Sequence, residues 1–191
     1  YIAASGPKSL EMAGEIADGV ILFGAVSPSL INFVMDHVRA GAERVGRNPN
    51  DVYALCMTAF HLTSKGESLE TSEVRQAVGP FVSSSTNIFA LSNPDPMTLP
   101  ADLREDIMRF RDIYKVMDGP IETRHLQMYS DYLLGFKKEH EAICSEKIIR
   151  ATTLTGTADE IVESIHNMKK AGIHQVAIQP IVDNRATVET F

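Results

Sequence analysis

Long apolar runs are absent from this chain of 191 residues. The longest, residues 19–26, is far shorter than the roughly 20 residues that a membrane-spanning helix needs. Runs of five or more basic residues are absent too, and 25 acidic against 18 basic side chains give a formal net charge of −7. Nucleic-acid binding and electrostatic membrane anchoring both require a basic surface. We therefore expect no nucleic-acid partner and no membrane partner.

Cysteine is also scarce. Cys56 and Cys144 lie far apart and form no pattern of disulfide spacings, so we expect two reduced thiols in a cytoplasmic protein. No secretory signal is visible. The chain begins with Tyr1 rather than with Met, and its first residues already have the pattern of a strand. We therefore expect the sequence to be part of a longer chain.

What the sequence does contain is an alternation of strand and helix patterns. Short apolar runs predict four strands, at residues 1–5, 20–23, 52–63 and 175–178. Helical spacing of apolar residues follows the strands, with start signals such as Ser27-Pro28 and the capping box from Thr157 to Glu160. A strand-then-helix unit that occurs about four times predicts an α/β fold, with a parallel sheet and helices outside it.

Residues 67–145 interrupt this alternation. A polar patch at 83–87 and a proline-rich loop at 93–100 precede two helical patterns, which begin near Leu103 and Leu126. These patterns predict a helical hairpin with one apolar face on each arm. We expect the two faces to pack on each other or on the body of the protein. A dimer contact or a lid over a pocket is the alternative.

The strongest local pattern for chemistry is Ser5-Gly6-Pro7-Lys8-Ser9, where a strand ends and a helix begins at once. With Gly6 as the N-cap, the backbone amides of Gly6, Lys8 and Ser9 have no partner within the helix. Free amides at the positive end of a helix dipole bind anions, typically phosphate. The hydroxyls of Ser5 and Ser9 and the Lys8 ammonium group add donors. The alternative is an ordinary capped helix.

Two further candidates follow predicted strands. Gly24 stands at the carboxyl end of the second strand, where it either ends the strand or lets a ligand lie against the backbone. His61 lies near the carboxyl end of the third. Ligands of parallel α/β folds collect at the carboxyl ends of the strands. We therefore take Gly24 as a candidate cofactor contact and His61 as a candidate substrate contact.

The remaining histidines predict no site. His37, His125, His140 and His166 fall on predicted helices, where a surface or partly buried structural role is expected. His140 and Cys144 are four residues apart, within reach of a common metal ion. A zinc site needs a third or fourth ligand, and the neighbouring sequence suggests none, so we predict no metal.

The opening run YIAASGPKSLEMAGEIADGVILFG, residues 1–24, resembles the luciferase-like monooxygenase superfamily, and in particular its deazaflavin-dependent branch. Residues 41–49 and 156–160 are also similar. The resemblance implies a (β/α)8 TIM barrel of which this chain supplies the C-terminal half, strands five to eight, as a single partial domain. Residues 67–145 would be a helical insertion after strand seven. Such a barrel typically has about 250 residues, which agrees with a chain that lacks the first four strands.

The resemblance also implies a cofactor, either coenzyme F-420 or, as the alternative, FMN. It assigns the cofactor phosphate to Ser5, Gly6 and Ser9, with Gly24 at the border of the site. The family's catalytic residues lie mainly on the strands that this chain lacks, so we predict none here. The expected activity is hydride transfer between F-420 and a small organic substrate. An FMN-dependent monooxygenase is the alternative within the class, and a non-catalytic flavin-binding or assembly protein is the alternative outside it. A homodimer is the candidate assembly.

Overall fold

The computed structural model describes residues 1–93, 95–113, 120–123, 132–181 and 184–191. Within them the strands are β1 (Ile2–Ala3), β2 (Gly19–Phe23), β3 (Tyr53–Thr58), β4 (Phe60–Leu62), β5 (Leu154–Gly156) and β6 (Gln175–Ile178). The helices are α1 (Pro7–Ile16), α2 (Pro28–Arg44), α3 (Ser72–Ser92), α4 (Arg104–Ile113), α5 (Glu146–Thr152), α6 (Ala158–Lys170) and α7 (Asn184–Thr190). Short 3-10 helices lie at Pro49–Asp51, Pro96–Thr98 and Lys138–Ile143. No helix in these ranges is long and apolar enough to cross a membrane.

The main sheet has the strand order β1-β2-β3-β6, and every pair in it is parallel. Ile21 of β2 is level with Ala3 of β1 and with Leu55 of β3. Helix α1 forms the first connection, and α2 followed by the 3-10 helix at Pro49–Asp51 forms the second, as in βα units. The expected α/β fold with a parallel sheet is therefore confirmed.

The two faces of the main sheet differ in burial. Alternate residues of a strand point to opposite faces, and parallel partners share a face. One face is fully buried and belongs to the hydrophobic core, with Val20, Leu22, Ala54 and Cys56 as members. The other face carries side chains that are only half-buried, among them Ile21, Phe23, Leu55, Met57 and Ala177. The helices thus cover one face of the sheet more completely than the other.

The third strand is divided, whereas the sequence predicted one continuous strand over residues 52–63. After β3, Ala59 interrupts the ladder and β4 pairs with β5 in a separate two-stranded parallel sheet. Leu154 donates its backbone N–H to Ala59 O at 2.9 Å, which holds the start of β5 beside the interruption. The chain rejoins the main sheet only at β6, after α6. Strand β5 was missed because three residues give too short an apolar pattern.

Helix α3 was also missed, since residues 83–87 suggested only a polar patch. Its hydrophobic residues Val78, Phe81, Val82 and Phe89 are buried, and Pro80 stands inside it. The first arm of the expected hairpin is present as α4. The second arm, 126–136, falls mainly on residues outside the described ranges, as does His125. Its described end, 132–136, is turn and irregular backbone.

Candidate cofactor-binding site

The turn from Ser5 to Ser9 has the predicted helix start. Gly6 is the N-cap in an extended conformation (φ −94°, ψ 156°), and Pro7 occupies the first helical position. The Gly6 amide differs from the prediction, because it donates to Ser9 Oγ at 3.2 Å. The Ser9 hydroxyl in turn donates to Gly6 O at 2.9 Å. Of the three amides that were expected to be free, the Gly6 amide is therefore hydrogen-bonded within the turn.

The remaining donors of this turn are available. The backbone amides of Lys8 and Ser9 have no acceptor among the described residues. The Lys8 side chain is exposed and forms no ion pair within the described part of the chain. Ser5 is half-buried at the end of β1. These groups form a set of hydrogen-bond donors beside the positive end of a ten-residue helix, which suits an anionic group.

The C-terminal end of α3 lies against this turn. A Cβ atom built on Gly6 would stand 3.2 Å from Ser92 O and 3.3 Å from Ser92 Cβ. These contacts are tighter than ordinary van der Waals separation, so packing against α3 already explains the glycine. The backbone carbonyl of Ser92, in the last turn of α3, thus lies beside Gly6.

Gly24 is the second point of contact between α3 and the strand ends. It follows β2 with φ +64°, and its N–H donates to Met57 O at 2.9 Å. A Cβ atom there would stand 2.5 Å from Ser85 Cβ, which no real packing allows. Gly24 therefore both ends the strand and admits α3. Of the residues expected to contact a cofactor, Gly6 and Gly24 both pack against α3, at Ser92 and Ser85, which are about two helical turns apart.

Aromatic side chains surround the end of β2. Phe23, on the less covered face of the sheet, stacks on Phe81 of α3 with ring centroids 4.5 Å apart. Tyr132 stacks on Phe23 at 6.2 Å. Met57 of β3 is level with Phe23 and is also half-buried. An apolar surface thus extends from the strand ends beside the Ser5–Ser9 turn.

His61 lies elsewhere. It belongs to β4, level with Thr155 of β5, and not to the main sheet. Its side chain is half-buried and has no hydrogen bond within the described residues. The expectation that it continues the third strand was wrong, because the break at Ala59 turns the chain to a new partner strand. The structure does not bring His61 together with the Ser5–Ser9 turn.

Two clefts share Arg150. One, of about 320 Å³, lies at the start of α2 and includes Ser27 and Lys147. The other, of about 580 Å³, lies beside the loop 63–68. Arg150 is paired with Glu146 at 2.9 Å and with Glu160 at 3.1 Å, so its charge is compensated. No cluster of three or more metal-binding side chains occurs within the described ranges.

The sequence of the chain identifies its family. The sequence model of the luciferase-like monooxygenase family matches residues 1–175. The chain therefore belongs to that family, and the resemblance seen in residues 1–24 is confirmed.

Individual relatives are reductases. The 5,10-methylenetetrahydromethanopterin reductase of Methanolobus tindarius is 32% identical over 82 residues, which cover 43% of this chain and 24% of that protein. The reductase of the same name from Methanopyrus kandleri is 25% identical over 179 residues, covering 93% of this chain and 43% of that protein.

The fold of the chain is similar to that of a reductase of known structure. The coenzyme F-420-dependent tetrahydromethanopterin reductase from Methanopyrus kandleri superimposes with a TM-score of 0.58 at 22% identity. The match covers 99% of this chain and 47% of that protein. The chain thus spans about half the length, or less, of the relatives that it matches.

Proposed function

We propose that this chain contributes to an F-420-dependent oxidoreductase, which transfers a hydride between the deazaflavin and an organic substrate. The observation that carries the proposal is the name shared by three relatives, 5,10-methylenetetrahydromethanopterin reductase, two of which align with more than nine-tenths of this chain. By the same reasoning the substrate is a reduced pterin that carries a one-carbon unit.

The proposal for the fold is that this chain forms half of a barrel. Strands β1, β2, β3 and β6 would be strands five to eight of a (β/α)8 barrel, and residues 67–145 would be an insertion after strand seven. The consecutive parallel order supports this arrangement. So does the uneven cover of the sheet, since a barrel buries both faces of its strands, one under helices and one in its interior.

The site part of the proposal assigns the cofactor phosphate to the start of α1. The free amides of Lys8 and Ser9, the Lys8 ammonium group and the Ser5 hydroxyl fit a phosphate because all of them donate hydrogen bonds. Ser9 would act mainly through its amide, because its hydroxyl is bonded to Gly6. Gly24 would border the site at the next strand end.

In the proposed mechanism, the role of this chain is to position the cofactor. A bound deazaflavin supplies the hydride chemistry. The helix start of α1 would hold the anionic end of the cofactor, and this anchor would set the distance of the ring from the strand ends. The half-buried Phe23 and Met57 would exclude water from the neighbouring surface. No residue of this chain is assigned to proton transfer.

Cofactor titration tests the proposal. The full-length wild-type protein is expected to bind F-420 in preference to FMN. Lys8→Ala is expected to weaken F-420 binding by about tenfold, or about 1.4 kcal/mol, by removing one cation from the phosphate. Lys169→Ala, an exposed lysine of α6, serves as the control and is expected to have no effect.

Two other outcomes of the cofactor titration would each indicate a different function. Binding of FMN alone would replace the proposal with an FMN-dependent monooxygenase, and binding of neither cofactor would favour a non-catalytic protein. Gly6→Val is expected to be more harmful than Ser9→Ala, because valine collides with Ser92 as well as altering the turn. His61 as a substrate contact, the homodimer and the cytoplasmic location stay predictions.

A further inference from the structure

Residues 132–136, which we call the crossing segment, pass across α3. The backbone N–H of Leu133 donates to the hydroxyl of Ser84 at 3.1 Å. At the other end of the segment, the Phe136 ring packs on Gly79, where a Cβ atom would stand 2.6 Å from Phe136 Cδ2. These two contacts fix the path of the crossing segment over the helix. The absence of a side chain at Gly79 is explained by the ring that it admits.

Leu133 has a backbone conformation that leucine rarely adopts. Its φ is +60°, and among the described residues it is the one non-glycine residue with a positive φ. The left-handed region is strained for any residue with a Cβ atom, because that atom approaches the following carbonyl oxygen. The hydrogen bond to Ser84 and the packing of Phe136 hold the chain in this conformation. Strain of this kind persists where the surroundings impose it, and it is concentrated at ligand contacts and active sites.

The strained residue directly follows Tyr132, whose ring lies over the end of β2. The ring centroids of Tyr132 and Phe23 are 6.2 Å apart and the ring planes are inclined by 19°, as in an offset stack. Both side chains are half-buried, so each keeps part of its surface open. Phe81 supports Phe23 from α3, with centroids 4.5 Å apart. Tyr132 and Phe23 therefore form an aromatic wall at the carboxyl end of β2.

The aromatic wall lies one strand away from the proposed phosphate site. Phe23 is the last residue of β2, and β2 pairs with β1, which leads into the Ser5–Ser9 turn. Neighbouring strands of a sheet are about 4.8 Å apart. Met57, level with Phe23 on β3, extends the half-buried apolar surface on the other side. A molecule with an anionic end at the turn and a planar ring is long enough to contact both.

We infer that Tyr132 binds the ring of the cofactor by stacking on it at the carboxyl end of β2. The inference rests on the proposed function. F-420 joins a phosphate to a planar deazaflavin ring, and an aromatic side chain recognises the face of such a ring without a charge. The phosphate donors belong to α1, whereas Tyr132 belongs to residues 67–145. The crossing segment is the support that directs Tyr132 toward the strand ends.

Titration of F-420 into variants of the full-length protein tests the inference. Tyr132→Leu removes the ring but keeps an apolar side chain, and its affinity for F-420 is expected to fall about tenfold. Tyr132→Phe keeps the ring and is expected to bind like the wild type. Phe191→Leu is the matched control, because it removes an aromatic partner of Phe60 on β4, with centroids 5.2 Å apart, outside the main sheet. It is expected to leave the affinity unchanged.

The absorbance spectrum of bound F-420 distinguishes stacking from a merely structural role. At saturating F-420, Tyr132→Leu is expected to shift the absorbance band of the ring. Lys8→Ala, which alters only the phosphate contact, is expected to keep the wild-type spectrum. Ser84→Ala releases Leu133 without changing Tyr132, so it is expected to weaken F-420 binding about threefold, and it provides a second measurement if Tyr132→Leu does not fold.

The results separate this inference from the proposed function. If the wild type binds F-420 and Tyr132→Leu binds it equally tightly or with the same bound spectrum, the inference alone is wrong. It is also wrong if Tyr132→Phe loses as much affinity as Tyr132→Leu, since the ring is then not the group that binds. A wild-type protein that binds no F-420 would overturn the proposed function itself, and the inference with it.

Discussion

Gly14 of α1 and Gly41 of α2 both lie in the contact between these helices, each against a backbone carbonyl of the opposite helix. A Cβ atom on Gly14 would collide with the backbone carbonyl of Val38, and one on Gly41 would collide with the backbone carbonyl of Glu11. Each glycine thus admits the backbone of the opposite helix. The two helices can approach this closely only because neither position has a side chain.

The first prediction concerns this contact. Gly41→Ala is expected to destabilise the protein by roughly 3 kcal/mol, at the upper end of overpacking, because a backbone carbonyl cannot move aside as a side chain can. Gly46→Ala is the control. Gly46 has φ +74° and no neighbour within 4 Å, so only conformational strain of about 1 kcal/mol is expected. Urea unfolding of the two variants measures the difference, and equal losses would refute the close-contact explanation.

The second prediction concerns Arg47, which binds the end of α1. Its guanidinium donates to Gly14 O at 2.9 Å and to Ala17 O at 2.8 Å. Arg47→Ala leaves these carbonyls without their donors, and we expect a loss of about 2 kcal/mol. Arg185→Ala, which removes an exposed ion pair with Glu189, is expected to cost less than about 0.5 kcal/mol. Thermal unfolding distinguishes the two, and similar shifts would show that Arg47 contributes no more than a surface charge.

The third prediction is a pH dependence on the acid side. The backbone and hydroxyl of Thr157 donate hydrogen bonds to Glu160, and with Arg150 they hold the pKa of the Glu160 carboxyl below its ordinary value of 4.5. The folded protein therefore releases this proton more easily than the unfolded chain does. Its contribution to stability is fully present above about pH 4.5 and is lost as the pH falls through the lower folded-state value.

Glu160→Gln provides the measurement for this dependence. In urea unfolding between pH 6 and pH 3, the variant is expected to lose less stability than the wild type on acidification. Glu163→Gln, an exposed residue of the same helix, is expected to follow the wild type. The hydrogen-bonding explanation fails if Glu160→Gln and the wild type show the same acid-induced loss.

The fourth prediction concerns the two thiols. Burial raises the pKa of Cys56 and of Cys144 from 9.0 to about 12. The thiolate is the reactive form, so neither residue is expected to react with a disulfide reagent at pH 8 unless the protein unfolds. Above about pH 9 the unfolded chain loses these protons before the folded protein does, and stability is expected to fall as the pH rises toward 12. Rapid labelling of native protein would contradict the burial of these thiols.

Local signals predicted the parts of the fold that local physics determines. The Ser27 N-cap, which accepts the Leu30 amide, and the capping box from Thr157 to Glu160 form as expected, because each is settled within a few residues. Strand β2 was predicted because its apolar run is unbroken. The donor amides of Lys8 and Ser9 followed from the same kind of reasoning.

Long-range pairing could not be predicted in this way. Nothing in residues 60–62 shows that they leave β3 to pair with β5, since both partners are three residues long. Helix α3 was hidden because serine, threonine and asparagine are weak helix formers, and Pro80 usually ends a helix. Its packing on Gly6 and Gly24 overrides that preference. The close contacts of these two glycines could be found only in three dimensions.

The chain leaves the main sheet at Thr58 and rejoins it only at Gln175. Pairing of β1, β2 and β3 closes two short connections, whereas pairing of β6 with β3 closes a very long one. The entropy cost of closure grows with loop length, and local contacts form sooner. We therefore expect the first three strands to assemble early and β6 to dock late. In hydrogen exchange, the amide protons of β6 are then expected to exchange with solvent before those of β1, β2 and β3. The strand ends at Gly6 and Gly24 belong to the early unit.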